Sequence, residues 1–270
     1  MNLRRCLMTV VTATAVLGVT ALTPTTAQAA GETPTAAGSY VALGDSYSSG
    51  VGAGSYDDSS GDCRRSTVAY PQLWADANAP DDFAFTACSG AVTTDVINSQ
   101  LAPLDAGTTL VSISIGGNDA GFADAMQTCV LQGTDACLAA VAEANTYITD
   151  TLPGRLDAVY AAISGAAPNA QVVVLGYPRM YELNGGCALG ISEEARAAIN
   201  GAADNLSTVT GKRAADHGFT YGDVRPAFTG HEICSADSWL HSVTIPIGDS
   251  YHPTAAGQSG GYYAVFESLA

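Results

Sequence analysis

Two side chains at opposite ends of the chain can carry out acyl chemistry together. Ser46 stands in Gly44-Asp45-Ser46-Tyr47, directly after the apolar run Val41-Ala42-Leu43. A buried strand that reaches glycine turns sharply, and this leaves the hydroxyl at a strand's carboxyl end, where open α/β sheets place their ligands. A serine hydroxyl becomes a useful nucleophile when a base takes its proton. His252, in Gly248-Asp249-Ser250-Tyr251-His252-Pro253, has the setting of such a base. It precedes a helix expected from Pro253. Asp249, three residues earlier, can fold back to accept a hydrogen bond from Nδ1 and so aim Nε2 at a nucleophile. His217, His231 and His241 lack that setting and read as solvent-exposed histidines.

Acyl transfer also needs donors for the charge that develops on the substrate oxygen. Two further segments, Cys88-Ser89-Gly90-Ala91 and Gly116-Gly117-Asn118-Asp119, each close a predicted strand. Gly90 offers a backbone N–H that a substrate can approach closely, and Asn118 offers a side-chain amide. One competitor has the spacing of a nucleophile elbow, Gly257-Gln258-Ser259-Gly260-Gly261. That motif needs a strand before it and a histidine after it. Here a helix start precedes it and no histidine follows, so its glycines read as close helix packing.

The four segments, taken in chain order, resemble the SGNH, or GDSL-type, esterase and lipase family over nearly the whole mature chain. Gly44-Asp45-Ser46-Tyr47 is similar to the family's first block, with tyrosine where leucine is frequent. The Gly90 region, Gly117-Asn118-Asp119 and Asp249-x-x-His252-Pro253 are similar to the other three. The resemblance implies Ser46 as nucleophile and His252 as general base. It also implies an oxyanion hole made by the Ser46 and Gly90 N–H groups and the Asn118 amide, and a three-layer α/β/α sandwich resembling flavodoxin. Some members of the branch that this chain looks like, the secreted actinobacterial lipases and phospholipases, replace the acid with a main-chain carbonyl two residues before the histidine. Here that carbonyl belongs to Ser250, so Asp249 and Ser250 both stand as candidates to orient His252.

The elements that must position these residues alternate in type. Strands are expected at Val41–Leu43, Phe83–Ala87, Thr109–Ile115, Gln171–Gly176 and Phe219–Asp223. Helices are expected from Tyr70 with Pro71 at the first position, over Thr94–Leu101, Asp135–Leu152, Pro153–Ala166 and Ser192–His217, and from Pro253. This alternation implies a mostly parallel five-stranded sheet covered on both faces, with its polar loops gathered at one edge. No repeat or linker divides the chain, and residues 39–270 read as a single catalytic domain.

Residues 1–29 read as a signal peptide, with Arg4 and Arg5 ahead of the apolar run Leu7–Leu22 and Ala27-Gln28-Ala29 as the cleavage site. Residues 30–38 read as a flexible leader. Removing the signal peptide takes two arginines with it and moves the formal net charge from −16 to −18. The remaining Lys and Arg are scattered and form no stripe to track phosphates, which argues against nucleic-acid binding. Six of the seven cysteines lie beyond the signal peptide: Cys63, Cys88, Cys129, Cys137, Cys187 and Cys234. An even count in an exported chain implies three disulfides, and Cys129 with Cys137 closes a short loop. No Cys-x-x-Cys pair suggests a metal site, and the chemistry calls for no cofactor.

The expected protein is therefore a secreted, extracellular monomer without a stable membrane anchor. It hydrolyses esters through a Ser46–His252 acyl-enzyme, with lipid esters, phospholipids among them, as the first substrate class. A carbohydrate acetylesterase of the same fold is the alternative substrate class. A binding module that keeps the fold without activity is the alternative of another kind. Activity against increasing acyl length separates the first two, and labelling by a serine-directed phosphonate separates both from the third.

Overall fold

The computed structural model describes residues 38–187 and 190–270. The signal peptide and all of the leader except Gly38 lie outside these residues. The sheet has five strands: β1 (Ser39–Gly44), β2 (Asp82–Phe85), β3 (Thr108–Ser114), β4 (Gln171–Leu175) and β5 (Thr220–Gly222). Their spatial order is β2-β1-β3-β4-β5, and every neighbouring pair is parallel. This doubly wound order places its topological switch beside β1, so the crevice at the carboxyl end of β1 is where such a sheet binds ligands. Val41, Val111, Ile113, Val173 and Val174 are buried, as apolar runs are when helices cover both faces of a parallel sheet.

One helical layer contains α2 (Tyr70–Asn78) and the C-terminal α8 (Ala264–Glu267). Tyr40 of β1 packs there against Trp74 and Phe266, with ring centroids 5.0 and 5.5 Å apart. The opposite layer contains α6 (Leu152–Ala166) and α7 (Glu193–Asp216), which pack on each other. Tyr221 of β5 reaches into that layer, and its hydroxyl lies 2.8 Å from Ser207 Oγ of α7. The result is the expected three-layer α/β/α sandwich. α5 (Thr134–Asp150) packs against both α6 and α7, and α4 (Phe122–Leu131) packs against α5.

Local chemistry explains the long helices. Ser192 caps α7 by accepting from the Ala195 N–H at 3.3 Å, with Glu193 and Glu194 in the first turn and Arg213 in the last, as the macrodipole favours. Pro71 and Pro153 fall in the first turns of α2 and α6, where their missing N–H costs no hydrogen bond. The cysteines pair in chain order, Cys63–Cys88, Cys129–Cys137 and Cys187–Cys234. The second of these ties α4 to α5.

The structure corrects three expected elements. β2 ends at Phe85, because the Thr86 and Ala87 N–H groups both turn to the Ala42 carbonyl. The helix expected over Thr94–Leu101 is one α-turn, α3 (Thr93–Asp95), followed by a wider π-turn at Val96–Gln100. The C-terminal helix begins at Ala255 rather than Pro253 and widens to π geometry over Gly257–Tyr263. There a Cβ on Gly260 would meet the Trp239 ring at 2.6 Å, and one on Gly261 would meet Phe228 at 2.2 Å. The glycines of the elbow-like motif serve packing, as expected.

Candidate active site

Ser46 opens the single-turn helix α1 (Ser46–Ser49) directly after β1. The turn is possible because Gly44 adopts φ +125°, and a Cβ there would meet the Ser114 carbonyl at 2.5 Å. The Gln100 side chain closes on Gly44 from outside. Its Oε1 accepts from the Gly44 N–H at 2.7 Å, and its Nε2 donates to the Gly44 carbonyl at 2.9 Å. Asp45 caps α1 by accepting from the Tyr47 N–H at 3.0 Å. Its carboxylate also accepts from Ser114 Oγ at 2.8 Å and from the Tyr177 hydroxyl. Burial raises the Asp45 carboxyl to about 6, against the opposing pull of these bonds.

The structure brings His252 to Ser46 across 206 residues of sequence, with Nε2 2.8 Å from Oγ. Burial lowers the imidazole to about 4, so at neutral pH the ring is uncharged and able to accept a proton. The Ser250 main-chain carbonyl and, more weakly, Asp249 oppose that fall. Nδ1 has no well-directed hydrogen bond among the described residues. The Ser250 carbonyl is the acceptor beside it.

Asp249 does not fold back onto His252. Its carboxylate pairs with Arg64 Nη2 and accepts from the Tyr56 hydroxyl at 3.2 Å. Tyr56 accepts in turn from Arg64 at 2.8 Å and from the Gly52 N–H at 2.9 Å. Arg64 offers a guanidinium at close range, while Nδ1 of a neutral imidazole offers one uncharged donor, so the carboxylate takes the stronger partner. Of the two candidates to orient the imidazole, the geometry favours the Ser250 carbonyl over the Asp249 side chain.

The other three histidines are half-buried and bonded, not solvent-exposed. His217 Nε2 lies 3.1 Å from Asp157, and His231 stacks on Trp239 with its Nδ1 2.8 Å from the Asp237 carbonyl. His241 Nε2 lies 2.8 Å from the Gly52 carbonyl, and its main chain pairs with Tyr251 and His252. Gly52, at φ +89°, lies so close to His252 that a Cβ on it would come within 2.9 Å of the His252 Cβ.

Asn118 borders the site, and its amide donates to the Ala91 carbonyl at 3.0 Å. Asp119 accepts from Thr93 Oγ1 at 2.6 Å and from the Thr93 N–H at 3.0 Å. These bonds lock the loop after β3 to the loop carrying Gly90, which adopts φ +78° and is exposed. An apolar cavity of about 600 Å³ opens beside Ser46, His252 and Asn118. Phe122 and Met126 of α4, Val141 and Ile148 of α5, and Ile199 and Leu206 of α7 form its walls.

Sequence reasoning misses four contributors. Arg64 and Tyr56 hold Asp249. Tyr177 bonds Asp45 and receives the Gly117 N–H at 3.2 Å. Tyr47 donates its hydroxyl to the Tyr251 carbonyl at 2.7 Å, with its ring 5.4 Å from the imidazole. Only Tyr47 left a trace in the sequence, as the tyrosine in place of a frequent leucine.

A buried serine bonded to an uncharged imidazole, at the carboxyl edge of a doubly wound sheet and beside an apolar cavity, belongs to a serine ester hydrolase. The chain is a member of the GDSL-like Lipase/Acylhydrolase family, whose model matches residues 42–259. It is 65% identical over 246 residues to Lipase 1 of Streptomyces coelicolor, covering 91% of each chain. It is 66% identical over 229 residues to a lipase of Streptomyces rimosus, covering 85% of each. Among solved structures, phospholipase A1 from Streptomyces albidoflavus NA297 superposes with a TM-score of 0.85 at 66% identity, covering 87% of this chain and all of that one. The extracellular lipase of Streptomyces rimosus matches at the same TM-score and 64% identity, with the same coverage.

Proposed function

We propose that the protein is a secreted hydrolase of long-chain lipid esters, acting through a Ser46 acyl-enzyme. The observation that carries this reading is the 2.8 Å contact between Ser46 Oγ and His252 Nε2 at the mouth of an apolar cavity of about 600 Å³. Ser46 Oγ attacks the ester carbonyl as Nε2 takes its proton, and the Nδ1 proton faces the Ser250 carbonyl. The oxyanion receives the N–H groups of Ser46 and Gly90 and the Asn118 amide. The Ser46 N–H stands in the first turn of a helix, where no preceding intrahelical carbonyl claims it. Nε2 then protonates the leaving alcohol, and a water activated by the same nitrogen releases the acid.

The cavity walls are aliphatic and aromatic, which suits an acyl chain and leaves few partners for sugar hydroxyls. The likeness to an extracellular lipase and to a phospholipase A1 supports both secretion and the lipid substrate class. A panel of p-nitrophenyl esters from acetyl to palmitoyl, with phosphatidylcholine alongside, tests the substrate class. The expected result is kcat/KM that rises with acyl length and measurable release of fatty acid from the phospholipid. Activity confined to acetyl esters would assign the protein to carbohydrate deacetylation instead.

A further inference from the structure

Two segments far apart in sequence place apolar side chains in water around the outer end of the cavity. Val130 and Leu131 end α4, and Val243, Ile245 and Ile247 stand on the loop before His252. Four of the five also belong to the cavity wall; Ile245, at 93% exposure, stands outside it. Leu131 and Ile247 are 70% and 71% exposed. Isolated exposed leucines need no explanation, but a cluster around the opening of a binding cavity marks an interaction surface.

We propose that this rim is a docking surface for an uncharged or zwitterionic lipid layer, and that Ile245 is its leading anchor. The inference rests on the reading of the cavity as an acyl site: a chain entering it from a bilayer would pass between these side chains. Part of the loop backbone bonds internally, which lowers the cost of lipid contact. The Thr244 N–H reaches Ser250 Oγ at 3.0 Å, the Asp249 N–H reaches the Pro246 carbonyl at 3.0 Å, and the Ser250 N–H reaches the Ile247 carbonyl at 3.1 Å. Charge selects the kind of lipid. Residues 242–248 carry no charged side chain, and Arg64, which reaches the Gly248 carbonyl at 3.4 Å, is paired with Asp249. The whole protein has 26 acids against 10 bases, so the rim does not favour anionic headgroups.

The test uses the Ser46→Ala protein, so that lipid is not consumed, with phosphatidylcholine vesicles in a sedimentation assay. Ser46→Ala should bind, and adding Ile245→Asp should weaken partitioning roughly tenfold, as expected for losing one buried apolar side chain. Equal binding by the two proteins, or none by either, overturns the proposal. Phosphatidylglycerol in the vesicles should weaken binding, and tighter binding would overturn the charge argument. The emission of Ile245→Trp should shift to the blue on adding vesicles, and an unchanged spectrum counts against insertion. Ile245→Asp should hydrolyse a dissolved short-chain ester at the wild-type rate but a vesicle-borne ester more slowly; equal losses on both would overturn the proposal. A dimer in sedimentation velocity that Ile245→Asp dissociates would assign the rim to a second copy of the chain. If Ser46→Ala still hydrolyses ester, the nucleophile assignment fails while the binding comparison still decides the docking question.

Discussion

Asp249 gives its carboxylate to Arg64, and His252, three residues later, is left with a main-chain carbonyl beside its Nδ1. The acid occupies the sequence position of a triad member while its charge is spent on a guanidinium. A working triad aspartate costs about 10⁴ in kcat when changed to asparagine. Asp249→Asn should therefore keep kcat within roughly tenfold of wild type, because its amide oxygen can still accept from Arg64 and the Ser250 carbonyl is untouched. A loss of several thousandfold in steady-state kinetics would restore Asp249 to the triad.

Arg64 lowers the His252 imidazole through its positive charge, and Asp249 raises it. Arg64→Ala removes the first influence and leaves the second unbalanced. The acidic limb of kcat/KM should move to higher pH relative to wild type, while Asp249→Asn should move it the other way. Limbs that coincide in all three proteins would show that the pair does not act on the imidazole.

Tyr47→Phe removes the bond to the Tyr251 carbonyl without changing the ring that packs beside His252. A buried carbonyl left without its donor costs about 1–3 kcal/mol, so the melting temperature should fall. The loosened His252 segment should lower kcat several-fold with KM little changed. A variant with wild-type melting and kcat would show that the hydroxyl tethers nothing.

Asn118→Ala should lower kcat by ~10²–10³ and leave KM nearly unchanged, since an oxyanion donor acts mainly in the transition state. Thr93→Val, which breaks a lock on the same loop, should give a smaller loss of the same kind. A rise in KM with unchanged kcat would place Asn118 in ground-state binding.

Two buried groups oppose each other in acid. The His252 imidazole falls from 6.5 to about 4 on folding, so the unfolded chain binds the extra proton and stability drops as pH falls through that window. The Asp45 carboxyl rises from 3.8 to about 6, so the folded chain binds the extra proton and stability grows as pH falls. Asp45→Asn should expose the histidine contribution, and its melting temperature should fall more steeply between pH 6.5 and 4 than that of wild type. Parallel curves would contradict this balance.

The sheet, the two catalytic ends of the chain and the long helices were legible because each rests on local signals: β-branched runs, glycine turns, and a serine cap with acids following it. α4 was not legible. Gly121 caps it without a side-chain bond, so no start signal announces its short apolar stripe. The contact between Arg64 and Asp249 spans 185 residues, and no local pattern encodes it. Asp249 read as a partner of His252 because spacing reports proximity along the chain and not competition from a distant guanidinium. The half-burial of His241 has the same origin, since its partner is the carbonyl of Gly52, far away in sequence.

The proposed mechanism turns on acylation of Ser46 with His252 as its base. Peptide-mapping mass spectrometry after treatment with a p-nitrophenyl alkylphosphonate tests it directly. The adduct should form on Ser46 in the wild-type protein, be absent in Ser46→Ala, and form far more slowly in His252→Ala. Stoichiometric labelling of another residue, or equal labelling rates with and without the imidazole, would contradict it.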